Sequence, residues 1–243
     1  MAAPIRIVPL HPGPAAAAPV AAAQLTYRGG PLLPTVAVVT AFWGDAWLAG
    51  EAPLVARIND FFNYILNSEL IDQLSEYSVP GVDIGHGSLA ATAVITDQKP
   101  GASVSDAEIQ VLIRSQITGG ALPATTPSSL YFIYLPPGVD VDLGGQLSCS
   151  NFCGYHDAID GTVFYAVMPY PGCSGCVGGL HVLDALTSTS SHELCEAITD
   201  PVPGTGWYDD SNGEIGDICA WQTKKAGPWA VQLEWSNTNR GCI

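Results

Sequence analysis

The order of apolar periodicities along the chain predicts an α+β fold: a mixed sheet, a helix bearing acids and a histidine, and a disulfide-tied, loop-rich C-terminal part. Three observations carry this prediction. Residues 35–43, 130–135 and 162–168 are β-branched and aromatic runs of strand length, the last two closed by Pro136 and Pro169. Within 48–77, Leu54, Ile58, Phe61, Phe62, Ile65 and Leu66 share one helical face. All seven cysteines lie from Cys149 onward, among Gly, Pro and Ser.

Taken in order, residues 1–25 are rich in Pro and Ala and are expected to form a flexible segment or pro-segment. A single domain over 26–243 follows, with a C-terminal subdomain from about residue 200 as a variant of that reading. Gly29-Gly-Pro31 makes a turn into the first strand. The helical stretch after it breaks at Asn67-Ser68, and a shorter helix follows over 71–74. Residues 88–95 alternate as a strand, and Ser105-Asp-Ala-Glu108 starts an amphipathic helix over 107–116. The stretch holding Cys149, Cys153 and His156 is expected as a disulfide-tied loop, and 171–179 as a second. A helix over 185–198 ends before Pro201, which lacks an N–H and disfavours a helical residue ahead of it. Residues 229–235 alternate as a last strand. No internal repeat and no second domain boundary is visible.

Composition narrows the function. With 47% apolar and 13% charged residues over 243 positions, the chain can bury a sizeable core. Net charge is −15 with three lysines, which argues against nucleic acid and against an anionic membrane surface as partners. No run of about 18 apolar residues suggests a membrane span. The cysteine spacing is looser than a Cys₄ zinc knuckle requires, so disulfides in an oxidising compartment are the favoured reading. Seven is odd, and Cys195 is the candidate free thiol.

The densest group of metal-capable side chains is Ser190-Ser-His-Glu-Leu-Cys-Glu-Ala-Ile-Thr-Asp-Pro201. Its H-E-x-x-E differs by one letter from the H-E-x-x-H of zinc peptidases. On a helix His192 and Glu196 stack at i and i+4 and can grip one ion, while Glu193 lies to one side, where it can act as base on a metal-bound water. The third ligand is Asp217, Glu214 or His156. A calcium loop is the alternative, because Asp209, Asp210, Asn212, Glu214 and Asp217 cluster around Gly213 without EF-hand spacing. His156 reads either as ligand or general acid, or as a structural histidine bonded to backbone. The order of elements agrees with a zincin-like architecture, with the metal helix packed under the sheet and a cleft between subdomains.

Several motifs together resemble the EXORDIUM / phosphate-induced protein family of plants and its microbial relatives. They are Tyr27-Arg-Gly-Gly-Pro31, Phe42-Trp-Gly-Asp-Ala-Trp47, Cys153-Gly-Tyr-His156, Pro171-Gly-Cys-Ser-Gly-Cys176 and the His192–Pro201 motif. Trp207-Tyr208, Glu214-Ile-Gly-Asp-Ile-Cys219, Val231-Gln-Leu-Glu-Trp235 and Cys242 follow in the family's order. The resemblance implies an extracellular, cell-wall-associated protein with three disulfides. Cys195 departs from the family pattern, which has Ala there. Asp200 also departs, since plant members tend to carry Asn, and this counts against it as a ligand. His156, Glu193, Glu196, Glu214 and Asp217 all match.

The expected function is therefore a secreted metallohydrolase, specifically a zincin-like peptidase. It would use zinc on His192, Glu196 and a third ligand, with Glu193 as base and His156 as a further catalytic group, acting on a peptide or cell-surface polymer. Glu196 in place of a histidine adds negative charge and favours a harder ion such as calcium or manganese. The competing expectation is a non-catalytic extracellular protein with a structural calcium site that binds a surface glycan or protein. Glu193 discriminates: a base should face a solvent-filled cleft, whereas a structural residue should be tied up in hydrogen bonds.

Overall fold

The structure, a computed structural model, describes residues 7–12 and 23–243. Its centre is a six-stranded mixed sheet. In chain order the strands are β1 (Ile7–Pro9), β2 (Ala37–Trp43), β3 (Ser88–Ile95), β4 (Ser129–Tyr134), β5 (Phe152–Ile159) and β6 (Val163–Met168). Their spatial order is β1-β5-β6-β4-β2-β3. The four strands from β6 to β3 run parallel, and β5 is antiparallel to both of its neighbours, β6 and β1.

Parallel strands must be covered on both faces, and their sequences show it. In β2, Val39, Ala41 and Trp43 face one core, while Val38 and Phe42 face the other. The first core is closed by helix α1 (Asp106–Thr118), which brings Ile109, Leu112 and Ile113. Ser105 caps that helix with a full capping box to Glu108. The second core is closed by two helices, α2 (Ala52–Ile65) and α3 (Val182–Thr199). The expected break at Asn67-Ser68 falls where Ser68 caps a further short helix, which spans Glu69–Asp72 rather than 71–74.

Two expectations fail. The stretch expected to be a disulfide-tied loop contains strand β5, whose register against β6 puts His156 opposite Ala166. The run FCGYHDAI hides its strand character, because its α3 face carries Gly154 and His156 rather than apolar side chains. Within the segment expected to be flexible, Ile7–Pro9 forms β1 along the edge of β5, with Val8 buried against Cys153 and Cys176. Three hydrogen-bonded residues amid proline and alanine leave no periodicity to read. The rest of that expectation, at residues 1–6 and 13–22, lies outside the described residues; Ala23 and Leu25 join the second core.

The C-terminal part does not stand apart. Ile215, Ile218, Trp229, Val231 and Trp235 share the second core with α3. The last expected strand splits in two, with β7 (Trp229–Gln232) packed along α3 and a separate short pair at Trp235–Ser236. Disulfides join Cys149 to Cys173, Cys153 to Cys176 and Cys219 to Cys242, and Cys195 is the buried free thiol. Such bonds persist in oxidising compartments. No helix among the described residues is long and apolar enough to cross a membrane.

Candidate metal centre

Helix α3 is buried along almost its whole length, from Ala185 to Thr199. That is why its hydrophobic face is weak in the sequence: Ser188, Ser190, Ser191, His192, Glu193 and Glu196 are all inside. The serines are satisfied locally. Ser191 Oγ donates to the Ser188 carbonyl and accepts from the Gln232 amide at 2.9 Å, and Ser190 lies 2.8 Å from the Tyr134 hydroxyl. The histidine and the acids are not satisfied by one another alone.

His156 on β5 enters the cluster from the sheet. Its Nδ1 lies 3.1 Å from Glu193 Oε2 and 3.5 Å from Glu196 Oε2. Its Nε2 lies 3.1 Å from the Asp200 carbonyl, which can only accept, so Nε2 carries the proton and donates it there. His192 Nε2 stands 3.0 Å from Glu196 Oε1. The angles do not make that approach a hydrogen bond, and both nitrogens of His192 lack a hydrogen-bond partner. The contact is therefore one of charge proximity. The Asp217 amide donates to Glu196 Oε1 at 3.1 Å. Glu214 Oε1 lies 3.5 Å from His156 Nε2.

Two groups of side chains in this cluster converge closely enough to hold an ion: His156, Glu193 and Glu196, and His192, Glu196 and Asp217, the ligand atoms of each within 4.8 Å of one another. Every member is buried except Asp217, which is half-buried. The sequence's six candidates thus meet in one cluster, with Glu214 against His156 rather than in either triad. Glu234, which sequence reasoning passed over, is a fourth buried glutamate in the same field.

The charge balance is poor without a cation. Burial pushes Glu214 and Glu234 well above the usual carboxylate range. Burial also raises Glu193, against the pull of His156 and His192. Glu196 is the exception: burial works against ionisation, but the two histidines hold its carboxyl low. Burial lowers both histidines, and the neighbouring carboxylates, led by Glu214 for His156 and Glu196 for His192, lift them well above normal. Among the described residues no Lys or Arg is ion-paired to any of the four glutamates. Glu193 Oε1 and both oxygens of Glu214 have no hydrogen-bond partner. A buried carboxylate without partners is costly, and a divalent ion is the group this donor set fits.

Backbone positions hold the cluster in place. Asp200, set aside as a ligand, accepts from the amides of Gly204, Thr205 and Gly206 at 2.6, 3.0 and 2.5 Å. Its side chain thereby fixes the carbonyl that orients His156. Gly154 of β5 faces α3 so closely that a Cβ there would lie 2.7 Å from Thr189 and 3.2 Å from Glu193 Oε1. Gly216 sits against the His192 ring, where a Cβ would lie 2.8–2.9 Å from three ring atoms. The Gln232 side-chain amide donates to the Gly216 carbonyl at 2.9 Å. The two glycines were invisible as site residues because their role is to be small.

The alternative calcium loop does not assemble. Asp209 turns into its own turn, accepting from the amides of Ser211 and Asn212 and from the Asn212 side chain. Asp210 pairs with Arg28 at the surface. Asp217 Oδ2 accepts from the Glu214 amide at 3.1 Å, and Glu214 points to His156. Trp207 packs on Tyr77 and Tyr27, donating to the Tyr77 carbonyl, and so serves packing. A concavity of about 620 Å³ lies between Tyr27, Leu32, Pro127 and Phe164, and none of these carboxylates lines it. No protein-family model, curated protein or solved structure matches this chain.

Proposed function

We propose that the protein is an extracellular metal-dependent hydrolase of zincin-like design, acting on a peptide or a cell-surface polymer. The observation that carries this reading is the convergence of His192, Glu196 and Asp217, whose ligand atoms lie within 4.8 Å of one another, with Glu193 next to His192 on the same helix. Packing of the H-E-x-x-E helix under a mixed sheet supports the zincin-like part. The disulfides and the resemblance to EXORDIUM proteins support secretion. Zinc or manganese suits one imidazole with two carboxylates.

In this reading His192, Glu196 and Asp217 hold the ion. A divalent ion there polarises a substrate carbonyl and acidifies water. Glu193 accepts the proton on Oε1, while the hydrogen bond from His156 to Oε2 fixes the carboxylate's orientation. Asp217 is the member nearest solvent, so substrate approaches along the turn at Asp217–Cys219. The test is a peptide-library digest with wild type and Glu193→Gln. Cleavage lost in the variant, with the His192-held ion retained, is the expected result; equal cleavage by both proteins overturns the assignment of the base.

One observation favours a second reading. Glu193 does not face a solvent-filled cleft; it is fully buried, with one oxygen bonded to His156. Closed sites are the habit of structural ions, so a metal-stabilised, non-catalytic surface protein that binds a glycan or protein is the alternative. An inert protein whose Tm falls on chelation would establish it.

A further inference from the structure

We infer that the cluster on α3 holds two ions, bridged by the Glu196 carboxylate. This rests on the metal reading above, which a single ion would also satisfy. Glu196 is the one residue common to both converging groups. Each group then has the same make-up: one imidazole, one carboxylate of its own, and a share of Glu196. The two oxygens of Glu196 already face different histidines, Oε1 toward His192 at 3.0 Å and Oε2 toward His156 at 3.5 Å. A carboxylate bridge suits ions about 3.5–4 Å apart, the spacing of two-metal hydrolytic centres.

Three further features single out the His156 side. His156 donates Nε2–H to the Asp200 carbonyl, which leaves Nδ1 as the nitrogen aimed at Glu193 and Glu196. A ligating histidine is ordinarily fixed in this way through its other nitrogen. Glu193 Oε1 is fully buried beside it and has no hydrogen-bond partner. The charges also match. When ionised, the ligand carboxylates Glu193, Glu196 and Asp217 carry three negative charges and the buried Glu214 and Glu234 beside them two more, so one divalent ion leaves a larger imbalance than two. With the second ion bound, the hydrogen bond between His156 Nδ1 and Glu193 Oε2 is replaced by coordination of both atoms, and Glu193 Oε1 stays free.

The test is equilibrium dialysis of the chelator-stripped, refolding-checked protein against Mn²⁺, with electron paramagnetic resonance at saturation. Two ions per chain are expected for wild type, with the six-line signal of isolated Mn²⁺ broadened by coupling. His156→Ala and His192→Ala should each bind one ion and regain the six lines. One uncoupled ion in wild type overturns the bridge and leaves the single-metal reading standing. No ion in wild type overturns both. Should the variants fail to fold, the wild-type stoichiometry and spectrum still decide.

Discussion

Replacing Gly216 by alanine puts a methyl group into the His192 ring. Gly216 has φ −79° and ψ −38°, where alanine is at home, so the backbone carries no penalty. At such a site the change ordinarily stabilises a protein by about 0.4–1 kcal/mol through the unfolded chain. Here the new Cβ would lie 2.8 Å from His192 Nδ1 and 2.9 Å from Cε1 and Cγ. Neither side yields easily. The loop is held through the Gly216 carbonyl by Gln232, and by the Trp235 amide on the Ile215 carbonyl. The ring is enclosed beside Glu196. Overpacking of this kind costs about 1–3 kcal/mol. The net expectation is a loss of about 1–2 kcal/mol, or a Tm lowered by about 2–8 °C for a chain of this size. Differential scanning calorimetry measures it, and metal analysis of the same samples should show the His192 ion weakened. A Tm at or above wild type, with metal retained, would refute the packing of this turn on the ring.

Other outcomes follow from the same contacts. Asp200→Ala leaves three buried or half-buried amides without an acceptor and should lower stability by roughly 1–3 kcal/mol in urea unfolding. It should also weaken metal uptake, because the carbonyl that holds His156 is released. Burial lifts Glu234 well above 4.5, so the folded state binds its proton more tightly than the unfolded chain does. Its contribution therefore falls as pH rises through the unfolded value and stays unfavourable above the folded one. In metal-free protein Glu234→Gln should accordingly raise Tm more at pH 8 than at pH 5, and a pH-independent difference would contradict this.

The strands and helices with clean periodicity were legible. Val38, Val39, Ala41 and Phe42 spell a buried strand, and Ser105 with Glu108 spells a helix start. The grouping of candidate side chains was legible too, since His192, Glu193 and Glu196 share a turn. What the sequence hid was the reason those residues are buried. Strand β5 was disguised because Gly154 and His156 serve the cluster instead of the core, and β1 because pairing with β5, not its own pattern, makes it a strand. Asp200 was discounted for differing from a family pattern, yet it works through its backbone carbonyl and the amides it gathers. Glu234 sat inside an alternating run, and nothing local marks a glutamate that tertiary packing encloses.

The central claim is that α3 carries a metal centre organised by His192. Its most direct measurement is elemental mass spectrometry on protein purified without chelator or affinity metal, repeated on His192→Ala. At least one zinc or manganese per chain, reduced in the variant, is the predicted result. Metal-free wild-type protein that gains no thermal stability from added zinc or manganese would contradict the account.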